Sequence, residues 1–501
     1  MQTERKRSKR LRFFIEMKTK AEENRSSIVS DFVLIPVLLA ASLFLAGCNK
    51  ASYPEDRVAS AIQEICRDEY KVEDVEVKFA GKTIGVFLPL KKLFTTDVRQ
   101  EILSGHIANL ESLFEPEPEA MEQLENVLFT ISRVLLSSDK PIDFYVLEAT
   151  DIESTGLQLV LMGYVPDIRR VRLWDISRTE YRKRVLHELK FNRSVLWEKP
   201  VREFYRDVSN LDFKTLTDAH FLIPPSPETV SPLFYDLLAS KDDKENLRVV
   251  PNDIRSRSYR DAQALVYAKL TESYDRKPGV EASSYLYPSG TTLEYIFVVE
   301  PTEKQFKIAQ VIPFYYLNQE KKLEKIPLPS ELQLDQSVSE WPERFSVEEI
   351  ALGEFLARQM NRRIQAVLLG DERIHHTIRH AQVNFSYRHG AEGKSGFHEE
   401  PFFALYFDFL AKGMKPSRRT MGDVIFNEDV LYLFDLILRE FMDVVRSYRF
   451  GDYTYLELIW EPGDASTVLR LGPDRLDLFR TRKLNVSTLL ESPSHSIFKP
   501  S

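Results

Sequence analysis

The fold of this chain is decided by a pattern that occurs twice, at residues 142–148 (IDFYVLE) and at residues 452–458 (DYTYLEL). Each stretch predicts a β-strand that follows a long helix and opens the last hairpin of its region. The unit around each stretch reads helix, two strands, helix, then two or three strands. Because identity between the units is slight, a chance similarity between two α+β domains stays open. We predict an α+β fold with antiparallel sheets and packed helices, in which two related modules flank a more irregular α+β middle region.

Outward from the first stretch, helical spacing and strand alternation predict the elements of an N-terminal module. The predicted helices are 56–67, 97–114, 119–137 and a basic helix at 178–190. The predicted strands are 75–79, 83–90, 142–149, 157–165 and about 169–174. The second and third helices are separated by Glu115-Pro116-Glu117-Pro118, which no helix continues through.

The second stretch lies in a C-terminal module with the same order of elements. Its predicted helices are 346–369 and 428–447, and its predicted strands are 381–387, 402–410, 453–460, 467–471 and 475–479. The middle region is richer in proline, and its predicted strands are 283–287, 292–299 and 306–316. These patterns divide the chain into a leader (1–47), a tether (48–55), an N-terminal module (56–194), a middle region (195–345), a C-terminal module (346–490) and a tail (491–501).

Composition and charge exclude several classes of protein. The chain has 501 residues, of which 43% are hydrophobic and 29% charged, so it is neither disordered nor collagen-like. Residues 1–47 carry nine basic and five acidic residues, which leaves a net charge of −12 on the rest of the chain. Sequence-independent binding of nucleic acid needs a basic surface that replaces phosphate counterions. We therefore predict no nucleic-acid partner.

The N-terminus carries an apolar run from Phe32 to Ala46 (FVLIPVLLAASLFLA), preceded by basic residues. A run of about 15 residues has the length of a signal-peptide core and is short for a membrane span. It ends in Leu45-Ala46-Gly47-Cys48, which resembles the lipobox of bacterial lipoproteins. The alternative is a buried helix that ends in Ala-Gly-Cys by chance. Because acidic residues lie in the long region before the run, Met17 is an alternative start of the chain.

The resemblance to bacterial lipoproteins implies a cellular location and a membrane partner. In that class the precursor is cleaved between Gly47 and Cys48, and Cys48 receives a diacylglyceryl thioether that anchors the chain in membrane lipid. In many Gram-negative bacteria an aspartate after the lipidated cysteine retains the protein in the inner membrane. Here that position is Asn49. The resemblance therefore implies an outer-membrane anchor that faces the periplasm, if the host has two membranes.

Only two cysteines are present, Cys48 and Cys66. If Cys48 is acylated, Cys66 is the only free thiol, and an oxidising envelope would pair an exposed odd thiol with another molecule. Cys66 lies in an apolar-periodic segment, so we expect it to be buried on a helix face. A nucleophilic Cys66 is the alternative, and no base lies near it in the sequence.

The strongest candidate for chemistry is a histidine cluster, since five of nine histidines lie at 375, 376, 380, 389 and 398. On a helix His376 and His380 would face the same side and could share a zinc ion, with His389 or His398 as a further ligand. No HExxH motif supplies the general base of the common zinc hydrolases. A solvated surface or structural hydrogen bonding are the alternatives to the metal site.

A basic stretch runs from Arg178 to Lys190, beside Arg169, Arg170 and Arg172. It could contact anionic lipid or an acidic partner, and the alternative is a solvated helix face.

Two interpretations of function follow from these features. The first is a lipid-anchored cell-envelope lipoprotein that acts as a non-enzymatic binding or scaffold protein, with a possible envelope protein partner. The second is a metal-dependent envelope hydrolase that uses the histidine cluster with zinc. We take the first as the prediction, because the sequence matches no catalytic template.

Overall fold

The computed structural model describes the chain from Tyr53 to Phe498 with gaps. The described residues are 53–95, 117–153, 155–227, 230, 234–235, 238, 247–260, 262–274, 289–318, 322–332, 337–374, 377–389, 399–409, 417–420, 423–425, 428–460, 466–490 and 495–498. The predicted helix 97–114 and the predicted strand 283–287 lie outside them.

The described part of the chain is α+β, as predicted from the sequence. Its α-helices are α1 Val58–Tyr70, α2 Pro118–Leu136, α3 Val165–Arg172, α4 Arg178–Arg184, α5 Arg193–Asp207, α6 Phe213–His220, α7 Leu352–Gly370, α8 Glu428–Ser447, α9 Pro473–Arg480 and α10 Val486–Leu490. Its strands are β1 Glu76–Ala80, β2 Thr83–Leu90, β3 Phe144–Asp151, β4 Leu157–Tyr164, β5 Leu186–Phe191, β6 Leu247–Ser258, β7 Ala264–Tyr274, β8 Thr291–Pro301, β9 Phe306–Pro313, β10 Tyr315–Leu317, β11 Leu323–Lys325, β12 Ile378–His389, β13 Glu399–Phe409, β14 Ser417–Thr420, β15 Asp423–Ile425, β16 Tyr455–Trp460, β17 Ser466–Leu471 and β18 His495–Phe498.

Two five-stranded sheets have the same topology. The N-terminal sheet has the order β1-β2-β3-β4-β5, and the C-terminal sheet has the order β12-β13-β16-β17-β18. In each sheet the second and third strands are parallel and the other neighbours are antiparallel. A parallel pair needs a crossover connection, and the long helix α2 or α8 lies within that connection. The recurring order of elements predicted from residues 142–148 and 452–458 is therefore present in the strand pairing.

The resemblance between the modules extends to the turn after the last hairpin. In each module an eight-residue helix, α3 or α9, directly follows the fourth strand. Each helix ends with a residue of left-handed backbone conformation, Trp174 (φ 64°) and Arg482 (φ 60°). In both cases the next amide donates to a carbonyl five residues earlier, from Asp175 to Arg170 and from Lys483 to Leu478. This is the Schellman ending of a helix, in which the left-handed position favours glycine.

The predicted strands at 169–174 and 475–479 are wrong, because both stretches lie mainly in helices. Their short runs alternate between apolar and charged residues, which imitates a strand. Proline at the start of each helix is the signal for the correct assignment, since its fixed φ suits the first helical turn. The predicted basic helix 178–190 is correct only up to Arg184, and the edge strand β5 begins at Leu186.

The middle region is a four-stranded antiparallel meander in the order β6-β7-β8-β9. One face packs against α5 and α6 through a core that includes Phe204 and Phe297. The other face is covered by a segment that buries Trp341. Elements α5, α6, β6 and β7 were not predicted from the sequence, and in α5 Pro200 interrupts the helical pattern.

Helix α7 lies between the N-terminal and C-terminal sheets and contributes to one core with both. That core contains Phe144 and Met162 of the N-terminal sheet, Phe355 of α7, and Phe403 and Leu458 of the C-terminal sheet. The Phe355 ring lies 5.2 Å from the Phe144 ring, measured between centroids. The two modules therefore share a continuous apolar core.

Residues 53–57 and 137–140 form a small separate unit. In it Tyr53 pairs with Ser138, and Lys140 Nζ lies 3.2 Å from Glu55 Oε1. Among the helices that the structure describes, none combines the length and the apolar character that crossing a membrane requires.

Candidate functional site

The predicted lipidation and cleavage residues, Cys48 and Gly47, lie outside the described residues. The same holds for His376 and His398 of the predicted metal site, and His389 is described in its backbone only. His380 is exposed on strand β12, where its Nδ1 lies 3.2 Å from Gln365 Nε2. The helical spacing on which the pairing of His376 with His380 depended is therefore wrong, because His380 belongs to a strand.

Within the described parts of the chain, no group of three or more histidine, cysteine, aspartate or glutamate side chains could hold a metal ion. The predicted zinc site thus stays a prediction, and the three histidines that would complete it are not described in their side chains.

The second cysteine, Cys66, lies on α1 and is fully buried, as predicted. Burial raises the pKa of its thiol to about 11, and a hydrogen bond with Thr130 on α2 opposes that rise only in part. A thiol that is both buried and protonated is a poor nucleophile, because the thiolate is the reactive form.

We expect Cys66 to react slowly with thiol reagents in the folded protein and rapidly after unfolding. The raised pKa alone lowers the thiolate fraction at pH 8 by about 100-fold, and burial lowers the rate further. The measurement is the rate of modification by a coloured disulfide reagent, with and without urea. Equal rates in both conditions would show that Cys66 is accessible in the folded state.

Concave surfaces lie along α5. A cleft of about 480 Å³, which we name the α5 cleft, separates this helix from the edge of the N-terminal sheet and from the start of the meander. Its apolar walls are formed by these side chains: Val75, Pro89, Ile152, Val195, Tyr205, Val249, Pro251, Ile254 and Leu270. Its charged lining consists of Asp74, Glu76, Lys199, Arg202, Glu203, Arg206 and Arg344.

Three guanidinium groups line the cleft, those of Arg202, Arg206 and Arg344, and each lies beside an acidic residue. Arg202 Nη2 lies 2.8 Å from Oε2 of Glu198, which is fully buried and also accepts a hydrogen bond from Ser256 at 3.2 Å. Arg344 forms an ion pair with Glu76 of β1. Burial lowers the pKa of Arg344 and raises the pKa of Glu198. Arg202 is thus fixed in place by a buried carboxylate and Arg344 by a partly exposed one.

Lys199 and Glu203 lie one helical turn apart on α5, and both also line two adjoining clefts of about 110 and 700 Å³. Lys199 is half-buried and makes no ion pair with any residue that the structure describes. Glu203 lies 3.7 Å from Arg206. These two side chains therefore form the ridge between three neighbouring cavities.

A histidine–aspartate pair lies behind this ridge. Nε2 of His220, on α6, is 3.2 Å from Oδ2 of Asp207, at the end of α5. Burial lowers the pKa of His220, although Asp207 acts in the opposite direction. The ring of Phe204 meets the imidazole edge-on at 6.2 Å. The pair joins α6 to α5 and so supports the wall of the smaller cleft.

A half-buried carboxyl, that of Glu148, lies away from the cleft, in the middle of the N-terminal sheet. Glu148 of β3 accepts a hydrogen bond from Gln158 Nε2 at 2.9 Å. Burial raises the pKa of Glu148 to about 7, and the charge of Lys190 on the edge strand opposes that rise. The folded protein therefore retains a proton on Glu148 at a pH where an unfolded chain has lost it.

We expect the stabilising contribution of this proton to be complete below about pH 4.5 and to be lost as the pH rises through about 7. Replacing Glu148 with glutamine keeps the neutral shape and removes the titration. The Glu148→Gln variant should therefore gain stability over the wild type as the pH rises, by about 3 kcal/mol at pH 8. Urea unfolding at pH 5 and pH 8 measures this difference. A difference that does not change with pH would contradict the assignment.

None of the residues of the α5 cleft was predicted as a site from the sequence. Asp74, Arg202 and Arg344 are far apart in the chain and form no motif, so nothing local marks them as neighbours. The apolar spacing of Val201, Phe204 and Val208 was the available signal for α5, because these residues share one helix face.

Comparison with known proteins assigns no family to the chain, since no family model, curated protein or solved structure matches it.

Proposed function

We propose that this chain is a lipid-anchored cell-envelope lipoprotein that acts as a non-enzymatic binding or scaffold protein. The observation that carries the proposal is the stretch from Phe32 to Cys48, in which an apolar core ends in Leu-Ala-Gly-Cys. Acylation at Cys48 would tether the chain, and two or three acyl chains hold a protein on a membrane far more firmly than one.

The α5 cleft supports the binding part of the proposal. Its volume of about 480 Å³ falls in the range of pockets that bind ligands. Its walls are apolar and its lining carries both signs of charge, which suits a peptide segment with apolar and charged side chains. We propose that a segment of an envelope protein partner binds there, against Lys199 and Arg344.

The anchor is tested by replacing Cys48 with alanine and separating cell extracts in a detergent that forms two phases. We expect the wild type in the detergent phase as a processed chain, and the variant as an uncleaved precursor or as released protein. Cys66→Ala is the matched control, because it removes the other cysteine and should leave lipidation intact. Processing and partitioning that are the same for Cys48→Ala and wild type would reject the anchor.

Binding in the cleft is tested with a photoreactive amino acid in place of Lys199, introduced in living cells. We expect a discrete crosslinked product that Arg344→Ala removes. Lys214 is the control position, because it is exposed on α6 and does not line the cleft. Identical products from both positions would contradict a binding site in the α5 cleft.

A further inference from the structure

The turn between α3 and α4 carries the most exposed large apolar side chains among the described residues of the N-terminal module. Leu173 is 75% exposed and Trp174 is 87% exposed. The exposed run continues through Asp175, while Ile176 turns inward and is buried. We name residues 169–183 the α3–α4 knuckle. Its tip is a leucine–tryptophan pair that faces solvent.

The backbone at this tip is unfavourable for the residue that occupies it. Trp174 has a φ of 64° at the end of α3, where glycine is the favoured residue. The C-terminal module has Arg482 at the corresponding position, with the same hydrogen-bonding pattern. A bulky residue in left-handed conformation is strained, and such strain is found at sites of function. Neither the exposure of Trp174 nor its backbone conformation stabilises the fold.

Exposed cations surround the tip on both sides. These side chains are Arg169, Arg172, Arg178, Arg182 and Lys183. None of the five makes an ion pair or a side-chain hydrogen bond with a residue that the structure describes. Two further basic residues, Arg170 and Arg184, turn inward to the buried carboxylate of Asp167 at 3.1 Å. The last one, Lys190, lies on β5 and pairs with Glu188 at 3.0 Å. The basic stretch noted in the sequence thus contains two structural arginines, one paired lysine and five exposed cations around the tip.

We propose that the α3–α4 knuckle docks on an anionic lipid surface, with Leu173 and Trp174 inserted at the level of the headgroups. Tryptophan is enriched at membrane interfaces, because its ring is apolar and its N–H remains hydrated. Lysine and arginine beside such a residue are attracted by the surface potential of anionic lipids. The chain beyond residue 47 carries a net charge of −12, so anionic lipids repel it on average. The basic knuckle is a local surface that such lipids attract.

The chemistry of the knuckle favours a membrane over an acidic protein. Its apolar tip, Leu173 and Trp174, is exposed on the turn between two short helices, and neither residue lines the three clefts along α5. A planar bilayer contacts an exposed turn without needing complementary shape. The inference rests on the proposed anchor only for the nearness of a membrane, and docking is measured by a signal from Trp174 itself.

The test uses the full chain, purified in detergent and reconstituted into vesicles whose acyl chains carry bromine atoms that quench tryptophan. One set of vesicles is phosphatidylcholine alone, and the other also contains phosphatidylglycerol. The signal of Trp174 is the difference in emission between the wild type and Trp174→Phe. We expect this signal to be blue-shifted and quenched in the anionic vesicles and much less so in the neutral ones.

Two variants separate docking from folding and anchoring. Arg178→Gln/Arg182→Gln/Lys183→Gln should weaken docking by about 100-fold and abolish the quenching. Arg482→Gln/Lys483→Gln, in the matching turn of the C-terminal module, should leave it unchanged. Trp174→Gly should melt at or above the wild-type temperature, because glycine suits the left-handed position. A lower melting temperature would show that Trp174 serves the fold and would overturn the proposal.

Three further results would also overturn it. The first is Trp174 emission that stays unquenched in both kinds of vesicle. The second is quenching that persists in the triple charge variant. The third is a blue shift without quenching by the brominated chains, which would assign the knuckle to a protein contact. Loss of the anchor alone would instead appear as an absence of lipid on Cys48, with the Trp174 signal unaffected.

Discussion

Replacing Phe355 with alanine is expected to lower the free energy of unfolding by about 3–5 kcal/mol. Phe355 is fully buried on α7, and its ring lies 5.2 Å from that of Phe144 and 5.9 Å from that of Tyr448. Truncation therefore opens a cavity where the N-terminal sheet, α7 and the end of α8 meet. Closely packed surroundings relax only in part, so the cost exceeds the lost transfer energy. Urea unfolding measures the loss as a shift in the midpoint.

Leu369→Ala is the control for this prediction, because Leu369 lies on the same helix and is 72% exposed. We expect it to change the free energy of unfolding by no more than about 0.5 kcal/mol. A loss below about 1 kcal/mol for Phe355→Ala would contradict the shared core, since full burial of a large ring costs more than that to remove.

Asp167→Ala is expected to cost about 3–5 kcal/mol, because it removes the buried carboxylate that Arg170 and Arg184 share and leaves Arg184 paired with the partly exposed Glu180 at 2.9 Å. Asp167 is 1% exposed, and its Oδ1 lies 3.1 Å from Arg170 and 3.1 Å from Arg184. Arg184 is 5% exposed and lies over the ring of Tyr448 at 4.9 Å. Both arginines also donate to the carbonyl of Ser447, at the end of α8. Asp167 therefore organises a cluster of charged side chains that connects the N-terminal module with the end of α8 in the C-terminal module.

The matched control is Asp175→Ala, since Asp175 is exposed and lies in the same turn region. It should leave the free energy of unfolding within about 0.5 kcal/mol of the wild type. Denaturant unfolding of both variants checks the prediction. If Asp167→Ala lost no more stability than Asp175→Ala, the charge cluster around Asp167 would not contribute to the free energy of unfolding.

Long elements with a strong periodic pattern could be predicted from the sequence. The predicted helix 428–447 matches α8, because apolar residues recur along it every three or four positions. The hairpin strands at 142–149 and 157–165 also match β3 and β4 within a few residues. In these elements local pattern and tertiary packing favour the same structure, so the sequence alone suffices.

Short elements were predicted wrongly where a few residues fit both the helical and the strand periodicity. Val171 and Leu173 alternate with arginine and tryptophan, but Val165 and Ile168 are buried at helical spacing on α3. Whether such a segment becomes a strand or a helix depends on its neighbours in space, which the sequence pattern does not reveal.

The candidate sites divide in the same way. The proposed anchor rests on consecutive residues that end at Cys48, so it could be proposed without a structure. The α5 cleft brings Glu76, Lys199 and Arg344 together from distant parts of the chain, so no local pattern marks it. The basic stretch was visible in the sequence, but the exposure of Trp174 and its left-handed backbone depend on the fold.

The most direct test of the proposed function is the mass of the N-terminal peptide of the protein purified from bacterial membranes. We predict that Cys48 is the first residue and that it carries a diacylglyceryl group on its sulfur. A chain that retains residues before Cys48, or one in which the thiol of Cys48 is unmodified, would contradict the lipoprotein assignment.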